Sequence, residues 1–140
     1  MSRDINDCVG ELKEKIPKII ADYNEMFPDR KLFVVCTLRS LEDQLKAFIE
    51  GKSQIDGVHK FGRHNAIPGK YDKSRAVDFG VMIKGKYEGN GKYYTYLLDL
   101  ARKYDLVSGI DFKQTGQSAF ERLASKDFID SAHIELKTKD

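Results

Sequence analysis

The sequence predicts an α+β fold: a small mixed, mainly antiparallel sheet, with helices packed on one face and a cleft on the other. Three observations carry this expectation. Apolar residues recur every three or four positions across residues 4–27, the period of a helix packed on one side. Residues 32–37 (Leu-Phe-Val-Val-Cys-Thr) form a short run of β-branched and aromatic side chains, the composition of a buried strand. Residues 75–83 alternate with a period of two, which gives a strand one core face and one open face.

Taken in order, Ile5, Cys8, Leu12, Ile16, Ile19, Tyr23 and Phe27 define the stripe of the first helix. Pro17 has no N–H for a helix interior, so a kink or a division into two helices is expected there. Pro28-Asp29 turns the chain into the strand at 32–37. Ser40 and Asp43 have the form of a capping box with Asp in place of the usual Glu. The helix they start is expected to bury Leu41, Leu45, Phe48 and Ile49, and to end at Gly51 in a left-handed cap.

Residues 56–73 contain three glycines and one proline among many polar residues, a long loop of the kind that often carries function. In the strand that follows, Val77, Phe79, Val81 and Ile83 face the core. Ala76, Asp78, Gly80 and Met82 face the other way, and small residues leave room around Asp78. Residues 85–91 read as a turn or hairpin. Residues 93–104 read as a helix with Tyr93, Leu97, Leu100 and Tyr104 on one stripe, 108–116 as loop, and 118–123 as a short helix. In the last strand, 133–136, Ile134 and Leu136 face the core while His133 and Glu135 share the open face.

Composition narrows the function classes. A chain of 140 residues with 41% hydrophobic content suits one domain spanning residues 1–140, with an ordinary core, and no repeat or linker divides it. Twenty-four basic and 22 acidic residues leave a net charge of +2, and the basic residues are dispersed. That pattern, with a pI of about 8.4, argues against nucleic acid, which selects a basic stripe. No stretch has the roughly 20 apolar residues of a membrane span, so no membrane insertion is expected. The first residues, Met-Ser-Arg-Asp-Ile-Asn-Asp, lack an apolar segment, so synthesis in the cytoplasm without a signal peptide is expected. Cys8 and Cys36 lie far apart in apolar patterns, which favours buried, reduced thiols over a disulfide.

The chemistry-bearing residues are His64, Asp78, Asp130 and His133. Two imidazoles and a carboxylate can hold zinc and leave its fourth position open. Asp78 and His133 lie on open strand faces, and they converge if those strands are neighbours; His64 would arrive from the long loop. Asp130 stands three residues before His133 and cannot share its strand face, so it must sit in the preceding turn. From there it can act as general base toward an attacking water and as proton donor to a leaving amine. Spacing alone leaves simpler readings open: surface or capping histidines, and an aspartate paired with a lysine. The more specific helical His-Glu-x-x-His pattern is absent.

Arg63-His64-Asn65, then Ser74-Arg75-Ala76-Val77-Asp78-Phe79, then Asp130-Ser131-Ala132-His133-Ile134-Glu135 resemble the signature of the D-Ala-D-Ala metallopeptidase superfamily. Within it they are most similar to the L-alanyl-D-glutamate peptidases, a branch that includes phage endolysins. Its pattern runs Ser-x-His, Ala-x-Asp, and later Asp or Glu-x-x-His-x-Glu. Ser108-Gly109-Ile110-Asp111-Phe112-Lys113 resembles the Gly-Gly-Asp-Trp-Lys segment of that branch. Thr37-Leu38-Arg39-Ser40, with Gln44 on the next helix, resembles its arginine motif. The resemblance spans residues 32–136.

The resemblance implies Zn2+ bound by His64, Asp78 and His133, with Asp130 as catalytic base and Arg39 as the electrophile near the scissile carbonyl. Arg39 stands at the end of a strand before a capped helix, where a fixed cation can stabilise an oxyanion; pairing at the surface with Glu42 or Asp43 is the alternative. Gln44 can orient substrate or lie on the helix surface. Glu135 shares the face of His133 and can steady its ring. The implied function is a zinc peptidase cutting bacterial peptidoglycan stem peptides at the L-Ala–D-Glu bond. It would be monomeric, would lack a separate wall-binding domain, and would act on the cell wall after release, as in phage lysis. A D-Ala-D-Ala dipeptidase or carboxypeptidase, or a catalytically silent metal-binding relative, would share the same parts.

Several positions depart from the family pattern. His64 and Asp78 are 14 positions apart, as if residues 67–73 were inserted, and residues 114–126 also run long. Gly62 stands where Ser is common and Phe112 where Trp is usual. His59 is the substitute for His64, without the Arg-His-Asn context. Asp56, Asp72 and Glu88 can supply oxygen ligands to a second cation or remain solvated loop charges; no EF-hand spacing is present.

Overall fold

The computed structural model describes residues 1–57 and 62–137; His59, the alternative to His64, lies outside the described residues. A single 3-10 turn at Ile5–Asp7 precedes helix α1 (Gly10–Met26), strand β1 (Arg30–Cys36) and helix α2 (Leu41–Ile49). After the long loop come β2 (Ala76–Ile83), β3 (Lys86–Glu88), a 3-10 turn at Gly91–Tyr93, and α3 (Tyr96–Lys103). Strand β4 (Leu106–Ser108), helix α4 (Ala119–Leu123) and strand β5 (His133–Leu136) complete the chain. The sheet order is β1-β2-β5-β4, with β3 also on β2, and each of these pairings is antiparallel. The one parallel contact among the described residues is an isolated bridge between Cys8 and Ser74.

One face of the sheet carries the core. Leu12, Ile16, Ile19 and Tyr23 of α1, and Leu97, Leu100 and Ala101 of α3, pack on Leu32, Val77, Phe79, Val81, Leu106, Ile134 and Leu136. The expected alternation of β2 and β5 is therefore observed, with the odd positions of β2 and the even positions of β5 turned to the helices. Helices thus cover one face and leave the other for the site.

Three local expectations are corrected. The break in the first helix falls at Cys8, pinned by its bridge to Ser74, and α1 runs on through Pro17. Pro17 is on the exposed side, where water can satisfy the carbonyl its missing N–H leaves unpaired. The burial expected for α2 is inverted: Leu41, Leu45, Phe48 and Ile49 are exposed, Ile49 by 73%, while Gln44 is 2% exposed. α1 and α3 already cover the core face, so α2 stands at the lip of the opposite cleft, attached through its polar side. Strand β4 takes in Ser108, read as the start of a loop, and Leu106 and Val107, which carried no assignment; three residues are too few to show a period.

A hairpin forms, but through the two-residue turn Lys84-Gly85, with φ of 52° and 76°, and residues 86–88 of the expected turn are strand β3. Both residues adopt the left-handed geometry that matches strand twist, and glycine supplies the second without strain. Ser40 caps α2 by accepting from the Asp43 N–H at 3.0 Å. The box is not completed at the Ser40 N–H; the Asp43 carboxylate takes the N-terminal ammonium at 3.2 Å.

Candidate metal centre

The open sheet face is built by cross-strand pairing. β2 and β5 are neighbours, and Asp78 lies directly opposite His133. On the other side of β2, a bulge between Val34 and Cys36 shifts the register so that Cys36 opposes Asp78. Bulges re-aim side chains beside functional sites; this one brings the Cys36 thiol under the site rather than Val35.

His64 is fixed by its neighbours on both sides. Its carbonyl accepts from the Arg39 N–H at 2.9 Å, and Asn65 donates from Nδ2 to the Arg39 carbonyl at 2.9 Å. Asn65 Oδ1 in turn accepts from the Gly62 N–H at 2.7 Å. The Arg63-His64-Asn65 triplet thus staples the long loop to the end of β1. Residues 67–73 tighten rather than extend it. Ile67 and Tyr71 bridge across a turn whose Gly69 has φ of 78°, and Ile67, Lys70 and Arg75 line the cleft, the Arg75 guanidinium lying over the Tyr71 ring.

The four expected residues meet in a cleft of about 750 Å³, which Arg39, Gln44, Arg63, Arg75, Phe112, Phe128 and Glu135 also line. His64 Nδ1 sits 2.6 Å from the Thr37 carbonyl, which can only accept, so this nitrogen carries a proton and Nε2 is the one turned to the site. That Nε2 is buried without a hydrogen-bond partner and lies 3.2 Å from Asp78 Oδ2. Facing a carboxylate oxygen inside a protein, this nitrogen carries a proton in the metal-free protein and must release it for a metal ion to bind there. His133 Nδ1 lies 2.9 Å from Asp78 Oδ1, and its Nε2 lies 2.8 Å from Glu135 Oε1. If Nε2–H donates to Glu135, Nδ1 is presented beside Asp78; Arg63 Nε holds the other Glu135 oxygen at 3.3 Å. The imidazoles are 5.1 Å apart, centroid to centroid, with Asp78 between them. Two imidazoles and a carboxylate are ligand types that suit zinc.

Among the described residues, two groupings bring ligand atoms close enough to share an ion, Cys36–His64–Asp78 and Asp78–Asp130–His133; the expected set of His64, Asp78 and His133 is split between them, with Asp78 common to both. Cys36 Sγ lies 3.8 Å from His64 Nδ1, on the wrong side of the ring for an ion at Nε2. Asp56, Asp72 and Glu88, considered for a second cation, belong to neither grouping.

Electrostatics follow the geometry. Burial alone would lower His64, yet the Asp78 charge outweighs it and pushes its pKa up to about 9. Burial likewise opposes His133, but hydrogen bonds to Asp78 and Glu135 push it up to about 10. Asp78 is raised by burial but held far below the usual carboxylate range by the two imidazoles. Asp130 is raised, first by burial and then by the Asp78 charge. A carboxyl held above its ordinary range beside a site is suited to carrying a proton.

Asp130 occupies the turn before β5, as strand parity required. Its N–H donates to the Gly109 carbonyl at 2.9 Å and its carbonyl accepts from the His133 N–H at 3.2 Å. A Cβ on Gly109 would stand 2.0 Å from the Asp130 carbonyl oxygen, so the Ser108-Gly109 segment needs glycine to seat this turn. Arg39 donates from Nη1 to Gln44 Oε1 at 3.1 Å; neither Glu42 nor Asp43 takes it. Gln44 Nε2 donates to Ser53 Oγ at 2.8 Å and to the Ile55 carbonyl at 2.6 Å. Buried and fully partnered, Gln44 holds Arg39 against the cleft rather than lying on the helix surface.

Sequence reasoning assigned no role to Arg63, Arg75, Cys36 or Phe128. Arg63 and Arg75 flank the two motif segments and were visible there as neighbours of His64 and Asp78. Nothing local marks Cys36 or Phe128, which reach the site through a bulge and a long excursion.

The fold is an antiparallel sheet with helices on one face and an open cleft on the other. Among solved structures, the chain is similar to the crystal structure of Serratia marcescens L-Ala D-Glu endopeptidase ChiX, with a TM-score of 0.52 and 18% identity over 91% of this chain and 87% of that one. A weaker match is the crystal structure of DacB from Streptococcus pneumoniae, with a TM-score of 0.45 and 22% identity over 95% and 70% of the two chains. The likeness to the first, at 18% identity, establishes the fold. No protein-family model matches the sequence, and no curated protein does.

Proposed function

We propose that this protein is a zinc metallopeptidase that hydrolyses the stem peptides of bacterial peptidoglycan, at the L-Ala–D-Glu bond. The observation that carries the reading is the pair of buried imidazoles, His64 and His133, each set against a different oxygen of Asp78 on neighbouring strands and the stapled loop. The shared fold with an L-Ala D-Glu endopeptidase supports the choice of substrate.

His64 through Nε2, Asp78, and His133 through Nδ1 would hold the zinc. Bound there, zinc supplies Lewis acidity for the scissile carbonyl and lowers the pKa of water. Asp130 takes the proton of the attacking water. The water's hydroxyl joins the acyl carbon, the C–N bond breaks, and Asp130 returns the proton to the leaving amine. Arg39 faces the carbonyl oxygen and stabilises its developing charge. Gln44 holds Arg39 in place, and Glu135 fixes the ring of His133.

The test is digestion of purified peptidoglycan, with mass analysis of the fragments, with and without a chelator. New amino-terminal D-Glu groups that vanish on chelation are expected. Released D-Ala would replace the bond assignment by a D,D-peptidase, and turnover unaffected by chelation would remove the zinc mechanism.

A further inference from the structure

Residues 114–126 look like surplus chain in the sequence, but they place a buried guanidinium behind the cleft wall. Arg122 of α4 contacts Asp111 Oδ1 through Nε at 3.2 Å and Asp127 Oδ2 through Nη2 at 2.7 Å. Arg102 and Lys113 reinforce the two aspartates from outside, at 3.0 and 2.6 Å. Each aspartate is followed by a phenylalanine. Gripping both aspartates sets Phe112 and Phe128 side by side, nearly parallel at 10°, with centroids 6.3 Å apart. Phe112 reaches His133 at 5.5 Å, and both rings line the cleft beside Asp130. Phe128 is nevertheless 61% exposed. Core packing does not explain a braced, near-parallel aromatic pair with so much open ring.

We propose that Phe112 and Phe128 form a stacking subsite for the sugar ring to which the stem peptide is attached. The proposal rests on the peptidoglycan reading above. Two centroid steps, 5.5 and 6.3 Å, put the Phe128 ring no more than about 12 Å from His133. In peptidoglycan, one alanyl residue and a lactyl group separate the L-Ala–D-Glu bond from the sugar. These two units span about 7 Å when extended, and the ring centre lies a few ångström beyond. A pyranose ring offers a flat C–H face, the complement of the electron-rich face of an exposed aromatic ring. An aliphatic side chain would instead select an enclosed pocket, and Phe128 is open.

The test compares Phe128→Ala with Phe120→Ala, a control residue that is 84% exposed and does not line the cleft. Phe128→Ala is expected to lower kcat/KM on a muramyl-linked stem peptide about three- to tenfold, the range of one aromatic contact. On the sugar-free peptide, and for Phe120→Ala on both substrates, kcat/KM should be unchanged. By NMR, the ring protons of a peptide-free N-acetylmuramyl saccharide should shift upfield with the wild-type protein and lose that shift with Phe128→Ala. Equal losses on both substrates, no shift with wild type, or a shift that survives Phe128→Ala would overturn the subsite. A wild-type protein that cleaves neither substrate would refute the peptidase reading, while the NMR arm still decides the sugar contact.

Discussion

Replacing Gly109 by alanine should disable turnover without removing the metal ligands. The new Cβ would stand 2.0 Å from the Asp130 carbonyl oxygen, 2.9 Å from its carbon and 3.0 Å from its Cβ. These are backbone and near-backbone atoms, so no flexible side chain can swing away. The Asp130 turn must retreat by more than about 1 Å to reach ordinary contact distance. Overpacking of this kind costs about 1–3 kcal/mol, a fall in Tm of roughly 3–10 °C for a domain of this size. A displacement of about 1 Å at a proton-transferring group costs on the order of a hundredfold in rate. The assay is kcat/KM on a muramyl peptide beside zinc content and thermal melting, with Gly10→Ala as control because nothing lies within 4 Å of its Cβ position. Wild-type turnover in a folded, zinc-loaded Gly109→Ala protein would refute the placement of Asp130 as the proton carrier.

Two further perturbations test the supporting structure. Gln44→Ala strips Arg39, Ser53 and Ile55 of a buried partner, at a cost of about 1–3 kcal/mol; steady-state kinetics should show a fall in kcat larger than any rise in KM, with zinc content unchanged. In the metal-free protein, His64 and His133 have folded pKa values of about 9 and 10 against an ordinary 6.5. Raised values stabilise the fold fully below about 6.5 and lose that contribution as pH rises through 9 and 10. Metal-free melting temperatures should therefore fall between pH 7 and 10. Zinc added at pH 7 should release up to two protons, measured by calorimetry in buffers of different ionisation enthalpy. Zinc uptake with no proton release would contradict protonation of this pair.

Much of the fold was legible because periodicity reports burial. The alternation at 75–83 and the short pattern at 133–136 placed Asp78, His133 and Glu135 on the open face, and the three-residue spacing put Asp130 in a turn. What escaped depends on pairing between distant segments. The Asp78–His133 register is a property of two strands 55 positions apart, and the Val34–Cys36 bulge leaves no local trace. α2 shows the converse failure. Its apolar stripe has the spacing of a buried face, yet Gln44 is the buried residue, because one amide serves Arg39, Ser53 and Ile55 at once. Arg122 was likewise opaque: an arginine in a charged stretch reads as solvated until Asp111 and Asp127 are seen to close on it.

The central claim is that His64, Asp78 and His133 hold one zinc ion, with Asp130 outside its coordination. An anomalous difference map at the zinc edge tests it directly. The expected result is a single peak about 2.0–2.2 Å from His64 Nε2, His133 Nδ1 and an Asp78 oxygen. A peak coordinated by Cys36 or Asp130, or one that leaves His64 out, would contradict it.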